Sequence, residues 1–181
     1  MPKNSSWVNS DGLVVGFGTQ TSTQYSPAII SDAGSERVMH LPIPAMASLG
    51  TDATTGTGIY QAQNWMNAAM IPGGAIVTEV KIVTKTGCTS GGAADLLIGT
   101  YTISSTTGLL VAVDADGLLA AGDAALADFD TAGETRTYAI AAGAAQLGKT
   151  TVGANPVTVA PTYVTAAYTA GALDVYIKFV V

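Results

Sequence analysis

The sharpest alternation in the chain is "ALDVYIKFVV", residues 172–181. Leu173, Val175, Ile177, Phe179 and Val181 fall on one side of an extended backbone, and Asp174, Tyr176 and Lys178 on the other. A period of two marks a half-buried strand. "GGAIVTEVKIVTKTG" repeats the pattern, with Ile76, Val80 and Ile82 on one face and Glu79, Lys81 and Lys85 on the other. "CTSGG" then turns, "ADLLIGTYTI" predicts the next strand, and "SSTTG" turns again. "RTYAIAA" and "VTVAPTYVTAAYT" supply two more strands. Short strands between Gly-rich turns predict an all-β protein built as a β-sandwich. "DGLLAAGDAALADFD", residues 116–130, has room for a short helical turn on the sandwich edge.

The first fifty residues read differently. "MPKNSSWVNSDGLVVGFGTQTSTQYSPAIISDAG" sets isolated anchors, Trp7, Val14, Val15, Phe17, Tyr25, Ile29 and Ile30, among Ser, Thr, Asn and Gly. Neither a 3.6-residue nor a sustained two-residue period is present, so an extended arm that orders against another surface is expected. Two prolines in "LPIPA", residues 41–45, hold the backbone extended. "GTDATTGTG" at 50–58 has the composition of a loop or hinge. The expected division is therefore an N-terminal arm and linker over 1–50 and a β domain over 51–181.

Composition narrows the function. Only 11% of residues are charged, against 48% hydrophobic, and the net charge is −6. The seven basic residues are scattered without a cluster, which argues against a nucleic-acid partner. No apolar run approaches the ~20 residues of a membrane span. The start of the chain lacks the apolar stretch of a signal peptide, so no membrane partner is expected. "NSS" at Asn4 fits a glycosylation acceptor, a short pattern that recurs by chance. One cysteine, Cys88, excludes an internal disulfide and a multi-cysteine zinc site, and reads as a loop or core thiol.

One motif asks for a decision. "GAAQLGKT", residues 143–150, fits G-x-x-x-x-G-K-[ST] through Gly143, Gly148, Lys149 and Thr150. A phosphate loop needs a helix after it, whose N-terminus helps hold the phosphates. Here "TVGANPVTVAPTY" follows, with Gly153, Pro156 and Pro161. Interior proline costs a helix about 3 kcal/mol and glycine about 1. The match is read as a loop with Lys149 in solvent, and no cofactor is expected. Ligand at 100 times its Kd would add about 2.7 kcal/mol of stability. ATP is therefore expected to leave the melting temperature unchanged, and Lys149→Ala to leave the fold unchanged. An ATP-dependent thermal shift lost in Lys149→Ala would reverse this reading.

Other chemistry is sparse. Asp114, Asp116, Asp123, Asp128, Asp130 and Glu134 hold six of the thirteen acids. "DADG" opens like a calcium loop, but "LLAAG" follows in place of further ligands and a terminal Glu, so a turn at Asp116–Gly117 is expected and no metal site. His40 is the only histidine, in the irregular arm beside Leu41 and Pro42. No G-x-S-x-G occurs, and Asp128 and Asp130 lack an aromatic platform for sugar cleavage. An enzyme is not expected.

Two stretches carry a family resemblance. "WVNSDGLVVGFGT" at 7–19 resembles the N-terminal signature of structural proteins that tailed phages, marine ones especially, encode near the major capsid protein. "MIPGGAIVTEVKIVTKTGCTSGGAADLLIGTY" at 70–101, with "VDADGLLAA" at 113–121, resembles the sandwich region of the same proteins. The resemblance implies a jelly-roll-like sandwich and a virion component on the capsid surface, assembled in the host cytoplasm. It further implies a decoration (cement) protein whose partner is the major capsid protein. Alternatives in the same setting are a head or tail fibre component and a carbohydrate-binding module for host attachment. Symmetric homo-oligomers are the default for such parts, and a trimer matches local threefold positions. Trp7, Asp11, Gly12, Phe17 and Tyr25 are the expected protein-interaction residues of the arm.

Overall fold

The computed structural model describes residues 5–8, 14–17 and 28–33 as backbone, and residues 36–51, 71–104, 106, 110–139 and 155–181. Its strands are β1 (Ser5–Val8), β2 (Val14–Phe17), β3 (Ala28–Ala33), β4 (Glu36–Ile43), β5 (Ile76–Ser90), β6 (Asp95–Ile103), β7 (Leu110–Leu119), β8 (Thr135–Ala139), β9 (Thr158–Val164) and β10 (Tyr168–Val180). Two single 3₁₀ turns, Met46–Ser48 and Leu126–Asp128, complete the described elements. The second lies where the sequence left room for a helical turn.

All described pairings are antiparallel. One sheet has the order β3-β4-β10-β5-β8, a second the order β7-β6-β9, and β1 and β2 pair separately. The two larger sheets share one hydrophobic core and form an all-β sandwich. A jelly roll places its first, eighth, third and sixth strands in one sheet and its second, seventh, fourth and fifth in the other. β4-β10-β5-β8 and β9-β6-β7 reproduce that order among the described strands, which do not include the second. That position is the outer flank of β9. There Tyr163 N–H donates to the Gly50 carbonyl at 3.2 Å, and Ile71 and Val157 exchange bonds of 2.8 and 3.0 Å. Thr158 pairs with Tyr101 on β6, so Ile71 takes the flank of β9 that faces away from β6.

Packing explains the strands. Met39, Leu41 and Ile43 of β4, Val77, Val80 and Ile82 of β5, and Leu173, Val175, Ile177 and Phe179 of β10 are buried. They meet Leu96, Ile98, Leu118 and Val159 of the facing sheet in a single cluster. Each fully buried side chain of this size contributes about 1.5–3 kcal/mol. Gly171 allows one close approach: its φ is +124°, and a Cβ there would lie 2.5 Å from the Cys88 sulfur.

Four expectations change. Residues 28–33 and 36–43 are not an arm outside the sandwich: β4 lies inside the large sheet, between β3 and β10. The boundary at residue 50 therefore cuts through one structural unit, because "VMHLPI" alternates and its apolar side fills the core. Ile76 is 44% exposed, while Val77 is buried in its place. The cause is a bulge. Phe179 pairs with Val77 and Lys178 with Glu79, so Thr78 is extra, and the inward parity reverses. Asp116–Gly117 is no simple turn between strands but part of β7. Val181, expected inward, is 50% exposed just beyond the end of β10.

Candidate functional site

The outer face of the large sheet gathers its polar side chains in rows. The β4–β10–β5 registers align Val38 with Lys178 and Glu79, His40 with Tyr176 and Lys81, and Pro42 with Asp174 and Val83. His40 Nε2–H donates to Asp174 Oδ1 at 3.0 Å, and its ring stacks on Tyr176 with centroids 4.9 Å apart and planes 15° apart. Lys85 Nζ stands 3.3 Å from the other Asp174 oxygen, and Lys178 Nζ 3.0 Å from Glu36. A shallow groove of about 260 Å³ runs between Val38, Glu79, Lys81, Tyr176 and Lys178. The irregular arm expected to hold His40 is instead a strand with an acidic partner across the ladder. The signal was the alternation of Met39, Leu41 and Ile43 around it. His40 and Asp174 supply a base and an acid, and a triad would also need a nucleophile at the imidazole. The ring's described partners are Asp174 and Tyr176, an arrangement suited to a fixed contact surface of aromatic and charged groups.

A second feature is the β7 side of the small sheet. β7 pairs with β6 alone among the described strands. Residues 111–115 are all exposed, with Val111 at 52% and Val113 at 59%. The ladder then breaks: Thr100 pairs with Asp114 and Ile98 with Leu119, so Ala115, Asp116, Gly117 and Leu118 face Gly99 alone. Gly99 is required there, because a Cβ would collide with the Ala115 backbone. The bulge brings Asp114 and Asp116 together. Partial desolvation, with Asp116 beside it, raises the Asp114 carboxyl above its usual range. Among the described residues no group of three or more His, Cys, Asp or Glu gathers as a metal-ligand set.

Of the expected arm residues, Trp7 lies in β1 and Phe17 in β2, with Trp7 opposite Val15 and Ser5 opposite Phe17. Asp11, Gly12 and Tyr25 lie outside the described residues, as do Lys149 and the rest of 143–150. Among the described residues no helix is long and apolar enough to cross a membrane.

Cys88 is a core thiol, 2% exposed. Burial pushes it up to about 11 from 9.0. Burial also raises the phenols of Tyr138 and Tyr168 above 10.0. Neither hydroxyl has a hydrogen-bond partner among the described residues. All three groups stay neutral in the fold and ionise first in the unfolded chain. The native state then holds more protons, so stability falls as pH climbs past about 9. Melting temperatures across pH 7 to 11 should decline over that window, and native Cys88 should resist thiol reagents until the protein unfolds. Full native reactivity would place the thiol at the surface.

The chain matches no protein-family model and no curated protein sequence. Among solved structures it is similar to a chain in the capsid of Ralstonia phage GP4, at 15% identity and a TM-score of 0.47, covering 86% of this chain and 89% of that one.

Proposed function

We propose that this chain is a non-enzymatic virion structural protein that decorates and stabilises a phage capsid through protein–protein contacts. Its partner in this reading is the major capsid protein, bound at the capsid surface by a homotrimer, without cofactor, nucleic acid or membrane. One observation carries the reading. The resemblance of residues 7–19, 70–101 and 113–121 to phage structural proteins implies a jelly roll, and the strand order is that of a jelly roll. Fold alone does not imply function, so the weight rests on the two agreeing. Trp7, Asp11, Gly12, Phe17 and Tyr25 supply the anchoring contacts in this proposal, as aromatic anchors commonly dominate an interface. A head or tail fibre component is the nearest alternative.

A second reading, a carbohydrate-binding module for host attachment, draws on the His40–Tyr176 stack beside Lys81. Co-sedimentation separates the readings. The purified chain is expected to pellet with shells of its phage that lack it, saturating at a fixed ratio. Failure to pellet with shells, together with binding to host-surface glycans lost in Tyr176→Ala, would favour the second reading.

A further inference from the structure

The two edges of the small sheet differ. β9 has its outer flank bonded by Gly50 and Ile71. β7 pairs only with β6 among the described strands, and it shows Val111 and Val113 to solvent. An edge with exposed valines is a template for another strand, and proteins usually blunt such edges with charge or cover. The charge present on β7 is of one sign. Asp114 and Asp116 sit in the strand itself. They begin the stretch 114–134, which carries six acids and no Lys or Arg. The other seven acids are matched by the seven basic residues, so this stretch accounts for the whole net charge of −6. Within it, Asp128 is engaged by Arg136 at 3.4 Å. A second copy of β7 laid parallel and in register would bring the Asp114 and Asp116 carboxylates of both chains side by side, which like-charge repulsion disfavours. An extended segment bearing Lys or Arg between apolar residues meets both requirements: backbone and valine contacts along 111–113, and cations against Asp114 and Asp116.

We infer that the β7 edge is a docking site for an extended basic segment of a partner protein, added as a further strand to the small sheet. This goes beyond the virion reading and does not depend on it, since its test involves no capsid. The probe is a short fluorophore-labelled peptide alternating lysine with valine or threonine, beside a matched peptide with glutamate for lysine. Fluorescence anisotropy is expected to show binding of the lysine peptide and at least about tenfold weaker binding of the glutamate one, with affinity falling as salt rises. Amide hydrogen exchange should slow at residues 110–116 on binding. Asp114→Asn with Asp116→Asn should weaken binding about 3- to 10-fold, as for exposed charge pairs. Val113→Lys should remove binding, and since Val113 is exposed the fold should tolerate it. Equal binding of the two peptides, protection confined to other strands, or no binding of the lysine peptide would each overturn the proposal. The salt and exchange readings use the unmodified chain, so they stand if the double variant fails to fold. Loss of capsid co-sedimentation with peptide binding intact would sink the virion reading alone.

Discussion

Phe179→Ala is expected to lower the unfolding free energy by about 3–5 kcal/mol, the usual cost of emptying a buried aromatic site. Phe179 is fully buried, and it sits on β10 between Arg37 of β4 and Val77 of β5. It lies at the bulge that turns Val77 inward, so neighbouring backbone is constrained by the ladder on both sides and has little freedom to collapse into the space. Lys178→Ala, one residue away, removes only an ion pair with Glu36 in which both side chains are substantially exposed. Such pairs are worth about 0–1 kcal/mol. Urea unfolding of the two variants measures the contrast. Equal losses would mean that the β10 register is wrong by one residue.

Removing residues 1–44 is expected to abolish cooperative unfolding, whereas removing 1–27 should leave a folded domain. The longer deletion takes β3 and β4 and strips one side of β10. Losing Met39, Leu41 and Ile43, at about 2–5 kcal/mol each, consumes most of the 5–15 kcal/mol that holds a domain of ordinary stability. The shorter deletion takes β1 and β2, which pair with each other in a separate sheet. Circular dichroism and thermal melting report the fold of each, and shell co-sedimentation reports the arm. A cooperative melt from the longer deletion would show that β4 is dispensable. Full-strength shell binding by the shorter one would move the capsid contacts onto the sandwich and away from Trp7 and Phe17.

What the sequence disclosed follows from where alternation survives. β10 was plain from Leu173 to Phe179, because a strand flanked on both sides keeps its period. β5 was legible from Val80 onward but misassigned Ile76, since a bulge shifts parity without altering composition. β4 alternates as well, yet His40 and Pro42 on its outer side resemble a linker. Among the described residues β3 pairs with β4 from Glu36 to His40, and Pro42 sits opposite Asp174 of β10. β7 escaped notice because "DADG" suggests a turn, and the four residues Ala115 to Leu118 opposing Gly99 cannot be foreseen from local sequence. The His40–Asp174 contact joins residues 134 apart, beyond the reach of any spacing rule.

That same separation bears on how the molecule reaches its native state. β10 is the middle strand of the large sheet, held by β4 on one side and β5 on the other. Until Val180 has been synthesised and has cleared the ribosome, neither neighbour has its central partner, and apolar side chains from Met39 onward stay without their cover. Long-range pairings of this kind close large loops before they gain contacts, and they slow folding relative to local ones. The waiting chain is the species most exposed to aggregation. Expression at lower temperature or from fewer messages, which keeps the concentration of waiting chains low, should therefore raise soluble yield.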